Sequence, residues 1–239
     1  MSQVSKLEFY SVGIVAKNKD LSSKEIEVTP IEDLPFANGE LTDNTNTETT
    51  TAKDAGGSSY TSKVNSTNTV KAVWLPIGQP NRLTAPDVRR GENVMLYKYS
   101  DHDKYYWVTL TEDTKLRKLE TVVYGFSGTT DESSSPNADN MYYLEVSTHR
   151  KLIHLHTSKA NGELFNYDVQ INGAEGFIQV QDNDGNYFTI NSKDTIVELA
   201  NADGSKLSLD KKVINLNAPD QFNIITKVMK VTADDIQLD

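Results

Sequence analysis

The chain has 239 residues, no cysteine, 34 acidic against 24 basic side chains and a formal net charge of −10. The missing thiols exclude a disulfide framework, thiol redox chemistry and zinc ribbons, and the acidic excess repels phosphate, which argues against sequence-independent nucleic-acid binding. No apolar run is long enough for a membrane-spanning helix, Met1–Lys6 does not read as a signal sequence, and a hydrophobic content of 37% is low for this length. Such a deficit points to a disordered stretch or to a core completed by other chains.

In chain order, residues 7–30 read as a β-hairpin. Phe9–Ala16 is rich in aromatic and β-branched residues, Asn18-Lys19-Asp20 supplies turn chemistry, and Ile26–Thr29 alternates again. The Thr/Ser/Asn-rich stretch 42–69, with Gly56-Gly57, holds too few apolar residues to offset its ordering entropy and reads as a flexible insertion. Val70–Leu75 is a strand ended by Pro76. Glu92–Tyr99 and Tyr105–Leu110 form a second hairpin around Ser100-Asp101-His102-Asp103. Leu116–Val123 carries a short helical pattern, capped by Thr111 or Asp113. Several short strands and one short helix predict a small closed barrel over 1–127. Residues 128–147, with Ser133-Ser134-Ser135-Pro136, read as a linker.

The last hundred residues follow another rule. Apolar pairs recur at i, i+2: Ile178/Val180, Phe188/Ile190, Val197/Leu199, Leu207/Leu209, Ile214/Leu216, Phe222/Ile224, Met229/Val231 and Ile236/Leu238. Each pair predicts a short strand with both side chains on one face, and turn formers such as Asp182–Asn186, Asn201–Ser205 and Asn217–Asp220 stand between several of them. Two apolar side chains per strand do not make a core, and a lone ribbon of such strands would leave its apolar face in water and its edges open. Symmetric association is the simplest remedy. Three copies wound together close a prism in which these sixteen residues form the shared core, and eight strands at ~4.8 Å per step give a rod of about 40 Å.

The ordered series Leu155–Phe165, Ile178–Asn186, Asn201–Asp210 and Ile214–Pro219 resembles the central spike proteins of contractile phage tails, the puncturing proteins of the baseplate, which are related to the needle of the bacterial type VI secretion system. The resemblance implies an all-β chain: an oligonucleotide/oligosaccharide-binding (OB)-like small β-barrel, then a trimeric, intertwined triple-stranded β-helix over 148–239. It further implies a virion protein at the centre of the tail baseplate that pierces the host outer membrane when the tail contracts. The partners implied are two further copies of the chain, a baseplate hub protein at the barrel and, transiently, the host outer membrane. Two departures from the family pattern stand out. Neither insertion is long or apolar enough for the lysozyme domain of some relatives. The chain ends Asp234-Asp235-Ile236-Gln237-Leu238-Asp239 with no histidine after His156, so the His-x-His apex of other relatives is expected to be absent. A separate small tip-capping protein is then expected on a platform formed by Ile236 and Leu238.

For chemistry, His154-Leu155-His156 is the one arrangement resembling a metal site. On a strand both imidazoles share a face, and three copies would offer six nitrogens to an octahedral ion on the trimer axis. The alternative turns Ile153 and Leu155 inward and both histidines outward, and the position at the start of the array favours it; no cofactor is then required. Asp182/Asp184 and Asp234/Asp235 lie where turns favour Asp. No phosphate loop, nucleophile elbow or Ser/His/Asp spacing is present, so no catalytic residue is assigned and the chain does not read as an enzyme. The run Tyr105-Tyr106-Trp107 reads as packing rather than base stacking. Three rival readings remain. A trimeric receptor-binding fibre or adhesin calls for a globular head with exposed aromatics. An OB-fold nucleic-acid-binding protein calls for a basic groove, for which Arg89-Arg90 is the one obvious cluster. A carbohydrate-active β-helix calls for a carboxylate cluster on a longer solenoid.

Overall fold

The structure, a computed structural model, describes residues 6–32, 46–53, 59–66, 68–110, 120–135 and 137–237. The described residues are all-β: sixteen strands and one 3-10 turn, Ala138–Asn140. Five strands close a barrel: β1 (Leu7–Val15), β2 (Glu25–Pro30), β5 (Val70–Trp74), β6 (Asn93–Tyr99) and β7 (Tyr105–Thr109). Their order around the barrel is β1-β2-β5-β7-β6. All neighbours are antiparallel except β5 and β7, which run parallel.

The barrel core is small and apolar. Val15, Val28, Ala72, Val94, Leu96 and Trp107 are fully buried, with Ile26, Trp74 and Val88 beside them. Trp107 sits at the centre of this cluster, and its indole N–H donates to the Lys24 carbonyl at 3.0 Å. The run Tyr105-Tyr106-Trp107 therefore supplies packing: Trp107 fills the interior, and the Tyr105 ring lies 5.2 Å from that of Tyr10. Gly13 is required where β1 curves across β2, since an added Cβ would run into Val28 and Leu96.

Between β2 and β5 the chain forms a separate two-stranded ladder, β3 (Asn46–Lys53) with β4 (Ser59–Ser66), in register from Asn46 opposite Ser66 to Lys53 opposite Ser59. Residues 46–53 and 59–66 of the stretch read as a flexible insertion are thus extended and paired, while 42–45, 54–58 and 67 fall outside the described residues. Composition argues only against a buried core, whereas threonine suits an extended backbone and a hairpin needs no core to satisfy its cross-strand hydrogen bonds.

The second body is a nine-stranded antiparallel meander in sequence order: β8 (Thr121–Ser127), β9 (Met141–Ser147), β10 (Leu152–His156), β11 (Tyr167–Asn172), β12 (Phe177–Asp182), β13 (Tyr187–Asn191), β14 (Ile196–Ala200), β15 (Lys206–Asp210) and β16 (Val213–Asn217). It begins earlier than the sequence reading placed the array. β8 takes up the end of the expected helix, and β9 lies inside the stretch read as a linker. Residues 116–119 of the expected helix fall outside the described residues, but Thr121, Val122 and Val123 are extended and pair with β9. Three adjacent β-branched residues favour the strand.

The first five apolar pairs of the sequence array lie in β12 to β16. The last three do not form strands: Phe222, Ile224, Met229, Val231 and Ile236 belong to a segment, 218–237, without a ladder, and Leu238 lies outside the described residues. From Ile224 to Ala233 the sequence has no Gly, Pro, Asn or Asp, so the turn chemistry that favours an intrachain hairpin is missing there.

Sheet and barrel are joined through β8. Leu83 N–H donates to Val123 O at 2.8 Å, Gly125 N–H to Asn81 O at 2.9 Å, and Val123 N–H to Thr84 Oγ1 at 3.0 Å. Buried charge reinforces the joint. Asp87 faces Lys19 Nζ at 4.0 Å, Arg89 at 3.3 Å and His149 Nε2, on the β9–β10 turn, at 3.3 Å. Burial lowers the pKa of Lys19, an effect Asp87 opposes; the ammonium also donates to the carbonyls of Asp20, at 2.9 Å, and Ser23, at 3.1 Å.

Candidate functional site

The first candidate is a surface. Cross-strand register turns the apolar pairs into two rows that run across the whole meander. One row is Tyr124, Leu144, Leu155, Val169, Val180, Phe188, Leu199, Leu207 and Leu216, each opposite the next. The other is Val122, Val146, Ile153, Ile171, Ile178, Ile190, Val197, Leu209 and Ile214. Because side chains alternate along a strand, both rows occupy one face. That register unites ten of the sixteen residues named from sequence and adds Val122, Tyr124, Leu144, Val146, Ile153, Leu155, Val169 and Ile171.

The other face carries Glu145, His154, Gln170, Gln179, Thr189, Glu198, Ser208 and Asn215 in register. Burial across the two faces is inverted. Glu145 and Ser208 are each 7% exposed, against 45% for Ile153, 55% for Leu199 and 68% for Ile214. A water-facing sheet has the opposite arrangement. Contiguous apolar area of this kind marks a surface that another element covers. The tail continues the pattern: Phe222 is 59% exposed, Met229 62%, Val231 57% and Ile236 58%.

The turns are built by one device. Asn172, Asp182 and Asn191, each the last residue of its strand, and Asn201, the residue just after β14, turn their side chains back to accept backbone N–H groups of the following loop. Asp182 is the fullest case. Its Oδ1 accepts from Asp184, Gly185 and Asn186 at 2.9–3.0 Å, and its Oδ2 from the Asn186 side chain at 2.6 Å. The side-chain bond from Asn186, with the backbone donors, holds this carboxyl below the usual carboxylate range.

The second candidate is on the polar face. His154 and His156 project from β10 on the side away from Ile153 and Leu155, as the outward alternative of the sequence reading has it, but water does not surround them. Their side chains are only 12% and 13% exposed. Asp168 on β11 lies between them, its Oδ2 2.7 Å from His154 Nε2 and 3.0 Å from His156 Nδ1. Gln170 donates to Asp168 Oδ1 at 2.7 Å, and the Tyr143 hydroxyl is 3.3 Å from His154 Nδ1. The Tyr143 ring stacks on His156 and meets His154 edge-on, 5.0 Å from each.

Burial raises the pKa of Asp168, yet the bonds from His154, Gln170 and His156 together hold it below the usual value. Burial, then Asp168 and Glu145, push the Tyr143 hydroxyl up. Asp168 was not singled out from sequence. Its place in the alternating Asp168-Val169-Gln170-Ile171 run is the signal that would have found it, since antiparallel pairing sets it opposite His156. Compared with known proteins, the chain matches no family model and no curated sequence.

Proposed function

We propose that this chain is a structural protein of a contractile phage tail: a homotrimeric central spike that pierces the host outer membrane as the tail contracts. The observation that carries the reading is the pair of uninterrupted apolar rows, left open on one face of a single chain while the polar face is the better covered. Apolar surface that runs the length of a narrow meander and repeats at each strand is satisfied by the same surface on symmetry-related copies. Three such meanders, rows inward, make a three-sided prism with a continuous dry seam. The segment 218–237, apolar in places and without an intrachain ladder, is the stretch where strands would pair between chains in a triple-stranded β-helix.

The barrel supports the same reading. Its order β1-β2-β5-β7-β6 with one parallel pair is the Greek-key arrangement of an OB-like fold, the domain that spike proteins place toward the baseplate hub. Function here is mechanical. Work comes from the contracting sheath, and the spike contributes stiffness, because its seam cannot open locally without disturbing three chains. Over 150–239 the chain carries 13 acidic and 9 basic residues, which keeps the rod soluble and away from anionic lipid. The hub at the barrel and a small capping protein over Ile236 and Leu238 are the partners of this reading.

Light scattering on the full chain should give about three times 26.6 kDa, and antibody against it should label the tip of intact tails in electron micrographs. A monodisperse, folded monomer overturns the proposal.

A further inference from the structure

The geometry points to a divalent transition-metal site in each chain, built from His154 Nε2, His156 Nδ1 and the Asp168 carboxylate, at the start of the meander and away from any trimer axis. Two imidazoles and one carboxylate are a donor set suited to zinc, iron, cobalt or nickel. The three donor atoms all lie within 4.8 Å of one another. An ion about 2.1 Å from each ligand needs donors roughly 3–3.5 Å apart, so small rotations of the side chains are enough.

Two further observations belong to a metal centre. The outer partners that fix metal ligands are already in place: Gln170 donates to Asp168 Oδ1 and leaves Oδ2 for an ion, while the Tyr143 hydroxyl stands 3.3 Å from His154 Nδ1, the nitrogen opposite the ligating one. There is also room beside the donors. His156, Asp168, Asn166, Gln181, Asp182 and Asn183 line a cavity of about 190 Å³, and Asn166 Oδ1 is buried without a hydrogen-bond partner. A buried acceptor at the edge of a polar cavity is suited to a water on the ion's open positions.

The site faces away from the apolar rows. A trimer therefore holds three separate ions, and none lies on the axis. Each ion ties β10 to β11 across the loop 157–166. That fixes the geometry at which the meander leaves the barrel-proximal strands.

The test uses the full-length protein, stripped with chelator and titrated with Zn²⁺ and Co²⁺. One ion per chain is expected, whatever the oligomeric state. Absorption-edge spectroscopy of the bound zinc should show two imidazole nitrogens with oxygen completing the shell. His156→Gln and Asp168→Ala should each weaken binding by at least the roughly 10–100-fold typical of losing an outer partner, and His102→Gln, at an exposed position, should leave it unchanged. The wild-type stoichiometry and ligand count stand even where a variant fails to fold. No uptake at micromolar metal, one ion per three chains, a shell with fewer or more than two imidazoles, or binding indifferent to His156→Gln overturns the inference.

Discussion

Single side chains decide the turns of the meander, and two of them allow quantitative tests. Asp182 has its pKa lowered by the side-chain and backbone donors it accepts. A carboxyl of this sort stabilises the fold fully above its unfolded value, about 3.9, and loses that contribution as pH falls through its lower folded value. The advantage of wild type over Asp182→Asn should therefore be constant near neutrality and shrink below about pH 4, as read from urea midpoints at a series of pH values. Thr195, in the turn after β13, is exposed and adopts φ +62°. A β-branched residue in the left-handed region is strained, whereas Asn tolerates it. Thr195→Asn should stabilise the protein by about 1 kcal/mol, visible as a higher melting temperature; an unchanged or lower value refutes the strain. The Asp182 turn was legible in sequence because Asx turns act over two to four residues; the left-handed Thr195 carried no such signal. Nor was Asp168 legible, because its meaning depends on a cross-strand neighbour.

At the level of elements, the sequence was legible wherever a strand's own alternation carried the signal. Phe9–Val15, Val70–Trp74, the hairpin on either side of Ser100–Asp103, and the pairs from Ile178 to Leu216 all stand in strands. Where register rather than alternation sets the outcome, the sequence was silent. β9 carries the same apolar rows, but Tyr142 and Tyr143 mask its rhythm until β10 is laid beside it. The helix expected through Val123 failed for a related reason: Val122 and Val123 occupy helical spacing from Leu119, yet Val122 also begins the row that continues through Val146, and pairing overrode the local pattern. If the rows are a seam, a charge within them is far more damaging than one outside. Ile214→Asp would place an unpaired carboxylate in each chain's contribution to the seam, at a cost of several kcal/mol per copy. Thr189→Asp, on the polar face, should be tolerated. Size-exclusion chromatography of the two variants separates the cases: loss of the oligomer in both, or in neither, contradicts the assignment of faces.

For the whole molecule, the two bodies should differ sharply in how they come apart. The barrel closes its own hydrogen bonds and buries its own core around Trp107 and Leu96, so its unfolding is a local event governed by that small core. The meander is apolar on an exposed face and the segment after it exposes Phe222, Met229 and Val231; in the proposed trimer both depend on association. If three chains are wound about one another there, none can leave without unwinding from the other two. The barrier to separation then exceeds what the equilibrium stability of one chain implies, which is kinetic stability. The protein should consequently run as a trimer in dodecyl sulfate electrophoresis without boiling and as a monomer after it. Limited heating should melt the barrel first, seen as loss of near-ultraviolet ellipticity from Trp74 and Trp107, while the oligomer band persists. A chain truncated after Asn217 keeps every ladder described here but loses the segment where chains would intertwine. It should still associate through the two rows, yet dissociate in detergent at room temperature. Detergent resistance that survives this truncation would place the intertwining elsewhere, and a full-length chain that runs as a monomer without heating would remove it altogether.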